Sequence, residues 1–204
     1  MDAPQHDFRV KLRSSITPAD VVVFEATPEL TEQRTINYKT VDPIHAPGQI
    51  YAYVNTSSRI FSISNARLIS RTSEEAGHNL RMLQLLRSWT MPEFGTSTST
   101  NVDNRGRPPT VLYLSAYSLE SAGAETTSVV GQLQHISRVP VVIQNMSIPY
   151  PSDVDYIPTA DENGAHVPMP TIMVVDLQLA ETHSAREYEG FNLALFKQGL
   201  LGGF

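Results

Sequence analysis

Glu181, His183, Glu187 and Glu189 fall within one short segment, Glu181-Thr182-His183-Ser184-Ala185-Arg186-Glu187-Tyr188-Glu189. One imidazole among three carboxylates is the richest grouping of acid–base and metal-ligating side chains in the chain. On a helix, His183 and Glu187 are four residues apart and share a face. The helical zinc motif H-E-x-x-H needs a second His, which this segment lacks. It therefore reads as a cap and salt-bridge cluster where a strand turns into a short helix. A metal-dependent hydrolase using His183 and Glu187 stands as the enzymatic alternative.

The other candidates are sparser. Asp153 and Asp155 in SDVDY could offer oxygen ligands to a cation, but a single Asp-x-Asp is common by chance and reads as a solvated turn. His6, His45, His78, His135 and His166 are scattered over different segments. There is no G-x-S-x-G nucleophile elbow and no G-x-x-x-x-G-K-S/T phosphate loop. The run Gly199-Leu200-Leu201-Gly202-Gly203 does not sit between a strand and a helix, so it is no dinucleotide fingerprint. With no cysteine, disulfides, zinc-thiolate sites, iron–sulfur clusters and thiol catalysis are all excluded. No catalytic, metal or cofactor residue is assigned, and the chain reads as a non-enzyme.

Composition points the same way. The net charge is −6, and an acidic chain repels a polyphosphate, which argues against a conventional nucleic-acid-binding surface. Charged residues make up 18% of the 204 residues, below the roughly 25% of a typical domain. A surface so poor in charge suits one covered by partners. The opening Met1-Asp2-Ala3-Pro4-Gln5-His6-Asp7 is polar and acidic, unlike a secretory signal. The apolar runs are far shorter than the ~20 residues that span a bilayer, so no membrane insertion is expected.

The elements follow from periodicity. Val21–Ala26, Thr31–Tyr38 and Gln49–Val54 read as strands, with turn material at Asp42–Gly48. In Arg59–Ser70, Phe61, Ile63 and Ile69 share one parity and Ser62, Ser64 and Ser70 the other, although Ile60 and Leu68 break the alternation. Thr72-Ser73-Glu74-Glu75 matches a capping box. The stripe Ala76, Leu80, Leu83, Leu86, Trp89 then predicts an amphipathic helix ended by Pro92. Arg81 and Arg87 lie off that stripe, and Gly77 within it predicts close packing. Val111–Tyr117 reads as a further strand, and Val139–Tyr150 as a strand pair or one long strand, with Pro140 and Pro149 suggesting an edge or bends. In Thr171–Glu181, Met173, Val175, Leu177 and Leu179 form one face. Gly95–Pro109, Ser118–Gln134 and Pro151–Pro170 read as long connections, the second as a long loop or a loose hairpin.

Two regions suggest contacts. Trp89 and Phe94, at the helix exit, are candidate interface anchors; alternatively, Trp89 plugs the end of the helix–sheet core. The tail from Thr182 to Phe204 gathers Phe191, Leu193, Leu195, Phe196, Leu200, Leu201 and Phe204. Left in water these are a liability, so Phe191, Phe196 and Phe204 are expected to dock on a neighbouring subunit or on the chain's own sheet edge.

Four strings in order carry a resemblance: ISRTSEEAGHNLRMLQLLRSWTMPEFG, GRPPTVLYLSAYS, RVPVVIQNMSIPYPSDVDYIPT, and PTIMVVDLQLAETHSAREYEGFNLALFKQG with its F-N-L-x-x-F-K-x-G ending. From about Ile60 onward the chain resembles the tube-domain baseplate proteins, or tail tube initiators, of contractile-tailed bacteriophages. The resemblance implies a single tail-tube-like domain over residues 1–204, mainly β with one flanking helix, as an antiparallel barrel or sandwich. It has an N-terminal arm (about 1–20) and a C-terminal docking tail (about 182–204). It implies a homohexameric virion ring joining the baseplate hub to the tail tube, with the tail tube protein, the hub, other baseplate proteins and the tape measure protein as partners. DNA would only pass through the lumen, and an acidic wall would let it slide. A major tail tube subunit, or a type VI tube-like one, is the structural alternative. Relatives with an added LysM-like module differ, since only some 20 residues precede the first strand.

Overall fold

The computed structural model describes residues 9–42, 44, 47–92, 106–117, 135–160, 166–201, 203 and 204. Eleven strands and three helices are assigned among them. The strands are β1 (Lys11–Ser14), β2 (Val21–Val23), β3 (Glu29–Gln33), β4 (Ile36–Val41), β5 (Ile50–Thr56), β6 (Ile60–Ile69), β7 (Leu112–Ala116), β8 (Ile136–Ser147), β9 (Tyr156–Ala160), β10 (His166–Pro170) and β11 (Ile172–Glu181). The helices are α1 (Ser73–Ser88), α2 (Ala185–Glu189) and α3 (Leu193–Lys197).

Seven strands form one antiparallel sheet in the order β2-β1-β7-β8-β11-β6-β3. The fold is mainly β, as expected, but the sheet is not closed into a barrel. It must nonetheless curl. β2 and β3 lie at opposite edges, yet only six residue steps separate Val23 from Glu29. Six inter-strand gaps would hold the edges of a flat sheet about 29 Å apart, whereas six extended residues reach about 21 Å at most. The short link is satisfied only if the edges approach each other.

The hydrophobic layer sits between the sheet and α1. Phe61, Ile63, Leu114, Val141, Val175 and Leu179 are fully buried. Each such side chain contributes about 1.5–3 kcal/mol by leaving water. The stripe of β11 is as expected: Met173, Val175, Leu177 and Leu179 are all buried. The broken alternation of β6 has a cause. Asn65 adopts φ 56°, its N–H donates to Asp176 Oδ1 at 2.8 Å, and the register with β11 shifts between Val175 and Leu177. A bulge of this kind reverses the facing of every later residue. Phe61 and Ile63 therefore point inward before it, and Ala66 and Leu68 after it.

Helix α1 starts as its sequence indicates. Thr72 Oγ1 accepts from the Glu75 N–H at 3.2 Å, while Glu75 reaches back to the Arg71 N–H at 2.8 Å rather than to that of Thr72. Ala76, Asn79, Met82, Leu83 and Leu86 are its buried residues. Asn79 is tolerated there because its Nδ2 donates to Ile69 O and Ser70 Oγ. Gly77 does mark a close approach: a Cβ there would lie 3.1 Å from Thr159 Oγ1. Thr159 belongs to β9, which pairs with β10 as a separate hairpin packed on α1. Pro151–Pro170, expected as a connection, thus contains a structured hairpin.

One further expectation is revised and two are narrowed. Thr31–Tyr38 is not one strand: the chain breaks at Arg34-Thr35, leaving β3 in the large sheet and β4 in a hairpin with β5. In the tail, α2 is the short helix expected where the strand ends, and α3 adds a second. Of the readings open for Val139–Tyr150, β8 is the one long strand, and it lies inside the sheet rather than at its edge, although it holds Pro140. The left-handed Arg138 (φ 53°) and the register shift between Leu114 and Ala116 bend the ladder next to that proline. Most of Gly95–Pro109 and all of Ser118–Gln134 lie outside the described residues.

Candidate assembly interface

The β4–β5 hairpin is built from residues that favour strands, Ile, Tyr, Val and Thr, yet nothing in the described chain covers it. Every residue of both strands is exposed. A register shift between Asn37 and Tyr38 accommodates Val54, so Tyr38 faces Tyr53, Thr40 faces Tyr51 and Val41 faces Ile50. Directly opposed residues share a face. One face thus carries Tyr38, Thr40, Tyr51 and Tyr53, and the other Lys39, Val41, Ile50 and Ala52. The Tyr38 and Tyr53 rings meet edge-on, with centroids 6.1 Å apart. Ile36, Tyr38, Val41, Ile50, Tyr51, Tyr53 and Val54 are each 47–64% exposed. A lone two-stranded hairpin is marginal in water, and one apolar on both faces gains more from a partner than from solvent.

The base of this hairpin is clamped. The Ser57 N–H donates to Thr35 O at 2.9 Å. Arg34 enters the hairpin and Arg59 leaves it, and both donate to the carboxylate of Glu181 at the end of β11. Arg59 gives its backbone N–H to Oε2 (3.0 Å), and its Nε (3.1 Å) and Nη2 (2.7 Å) to Oε1. Arg34 Nη2 donates to Oε2 at 3.1 Å. Arg59 Nη1 also reaches Glu32 Oε1 at 3.3 Å. Its guanidinium lies 5.2 Å from the Phe61 ring centroid. The side chains of Arg59 and Glu181 are 7% and 2% exposed. Burial alone would push Glu181 up. The hydrogen bonds from the Arg59 side chain and backbone and from His183, together with the Arg59 charge, outweigh burial and hold it down at about 2.

The tail meets the same carboxylate from the other side. His183, with 3% of its side chain exposed, lies 2.8 Å from Glu181 Oε1 through Nε2. Glu181 is ionised, so Nε2 carries the proton and donates. Nδ1 is buried without a hydrogen-bond partner, 4.0 Å from Glu187 Oε2. Glu187 is engaged in the capping box with Ser184. The Ser184 backbone N–H and then its hydroxyl hold Glu187 below the ordinary carboxylate range. The grouping read as acid–base or metal chemistry is thus a cap and ion-pair cluster. Among the described residues, no group of three or more His, Asp or Glu side chains is placed to hold a metal ion.

The aromatic residues of the tail converge on His183. Phe204 stacks on its ring at 4.4 Å and 12°. Tyr188 meets that ring edge-on at 5.3 Å. Phe191 contacts both Phe196 (5.6 Å) and Phe204 (5.2 Å). The structure therefore brings Phe191, Phe196 and Phe204 together, folded back on their own subunit. Trp89 is 4% exposed and belongs to the core at the end of α1, so it presents no surface anchor. Phe94 lies outside the described residues. Neither Arg34 nor Arg59 stood out in the sequence. Arg59 lies 122 residues from its partner, and no local spacing signals such a pair. The one available clue was an Arg flanking each end of an otherwise charge-poor strand pair.

No protein-family model matches the chain, and no curated protein matches it.

Proposed function

We propose that the chain is a structural assembly subunit: a tail tube initiator that forms a sixfold ring between baseplate hub and tail tube around a channel for DNA. The carrying observation is the β4–β5 hairpin, a strand pair with apolar residues on both faces and, among the described residues, no layer of its own chain over either. Its anchored base supports the same reading, since a buried ion cluster fixes the direction in which the hairpin projects. The acidic charge of −6 suits a wall that DNA must pass without adhering. The phage and baseplate identity rests on the resemblance of the four sequence strings.

The test replaces residues 36–56 by a short Gly-Ser turn and images the protein alone and with tail tube and hub proteins. The wild-type chain is expected to form single rings that nucleate tubes, and the shortened chain to stay folded but monomeric. Long tubes from the wild-type chain alone would instead indicate a major tube subunit. A wild-type chain that remains monomeric even with those proteins would overturn the proposal.

A further inference from the structure

The tail is joined to the body unusually lightly. Thr182 is the last residue whose N–H pairs with the sheet, donating to Pro140 O at 2.9 Å. Among the described residues, the remaining backbone hydrogen bonds of the tail are internal to it. Within residues 191–204 they are more local still: Phe196 to Asn192, Gln198 to Leu195, Gly199 to Phe196, Leu200 to Leu195 and Phe204 to Leu201. A single turn bond, Phe191 N–H to Tyr188 O, crosses from this segment into α2. α2 and α3 contain no buried residue.

What holds the end of the tail is apolar and undirected. Phe204 stacks on His183, and Gly203 lies over the start of β8, where an added Cβ would be 3.6 Å from Ser137 O and 3.7 Å from Arg138 O. The outer side of the segment is still wet, with Leu193 at 55%, Leu195 at 40% and Phe191 at 39% exposure. Its own body thus supplies one wall of a site that, among the described residues, has none on the other side. Gly190, which caps α2, separates the anchored part of the tail from this segment. Glycine is the residue that most readily takes up a new backbone direction.

We propose that residues 191–204 form an exchangeable strap, closed on its own subunit in the free chain and donated to the same socket on a second copy in the assembly. This rests on the ring-forming reading above. The socket is the His183 ring, Tyr188 and the Ser137–Arg138 backbone, and every copy carries it. Donation therefore needs no new complementary surface, which is why exchanging an identical element is a low-cost route to association. A strap given by each subunit to the next is a heterologous contact, and heterologous contacts close into rings when the rotation permits.

The absence of cysteine makes the test direct. Ser137→Cys and Gly203→Cys place one thiol on the socket and one on the strap while leaving the His183–Phe204 stack intact. The double variant is treated with a short bismaleimide as free chain and as assembly, and the products are separated by denaturing electrophoresis. Exchange predicts internally linked single chains from the free protein and linked multimers from the assembly. The two single variants, mixed before assembly, are then expected to give linked pairs well above those from Ala19→Cys mixed with Gly203→Cys. An assembly of confirmed mass that yields only internally linked single chains overturns the exchange and leaves the ring reading standing. A chain that never assembles, by mass or by image, overturns both.

Discussion

Two hairpins of this molecule have opposite fates. β9–β10 is rich in proline: Pro158 faces Pro168 across the ladder, and Pro170 ends it. It is nevertheless packed, because α1 lies on it. Thr159 is 1% exposed and Met169 2%, and Thr159 Oγ1 donates to Ser73 O at 3.1 Å. β4–β5 has the better strand formers and a longer ladder, and none of its side chains is buried. Intrinsic preference therefore does not decide which hairpin is held by its own chain; cover does. The first hairpin is completed inside the subunit, and the second has no cover among the described residues. The following changes break or sharpen that contrast, beginning with the most damaging.

The clamp at the root of β4–β5 is where the exposed hairpin meets the buried body. Arg59→Met removes the main partner of a buried carboxylate. Breaking one half of such a pair is expected to cost about 3–5 kcal/mol, read as the loss in urea unfolding free energy. A loss below about 1 kcal/mol would mean that Arg34 and His183 alone satisfy Glu181.

On the covered side, Leu83→Ala empties a fully packed position of α1, where Leu83 is 2% exposed. About 2–5 kcal/mol of destabilisation is expected. Arg87, exposed on the same helix, should cost less than about 0.5 kcal/mol when changed to Ala. Equal losses at the two positions would contradict the assigned buried face.

The clamp also predicts an acid limb. Glu181 is held at about 2 against an ordinary value of 4.5. A depressed carboxylate contributes its stabilisation in full above the unfolded value and loses it as pH falls through the folded one. Between pH 4.5 and 2 the chain should therefore lose about 3 kcal/mol, at 1.36 kcal/mol per pH unit of separation. Glu187 is lowered in the same sense but is exposed, so it adds little. In Glu181→Gln, the slope of unfolding free energy over this range should flatten. An unchanged slope would place the acid sensitivity elsewhere.

The difference between the two hairpins also marks what was legible in the sequence. β11 and α1 were readable because one face of each is continuously buried, so period and burial coincide. β6 was half readable, since the bulge at Asn65 reverses its parity and is set by Asp176, more than a hundred residues away. β9–β10 was illegible: its prolines mimic a connection, and only the close approach of α1 at Gly77 makes it a hairpin. At the candidate interface, the aromatic residues of the tail were visible as a cluster without a cover. Arg34, Arg59 and the tyrosine face were not, because their meaning depends on which distant elements meet at Glu181 and on the lack of any cover over β4–β5 among the described residues.

The mildest change in the free chain should have the largest consequence for assembly. Tyr53 is 62% exposed, and its contacts are local: the Tyr38 ring and Thr56 Oγ1 at 3.0 Å. Tyr53→Ser removes an aromatic cross-strand pair worth about 0.2–1 kcal/mol and creates no cavity, so the unfolding free energy of the subunit should shift by no more than that. If the Tyr38–Tyr51–Tyr53 face is buried by a neighbour, the same change deletes an aromatic anchor. Interface tyrosines of this kind commonly cost 2 kcal/mol or more on truncation, a roughly 30-fold weakening of subunit association at 1.4 kcal/mol per decade. Sedimentation across a concentration series separates the two quantities. A variant that keeps both its stability and its association would show that this face is not the one a partner covers, and would direct attention to the opposite face of Val41 and Ile50.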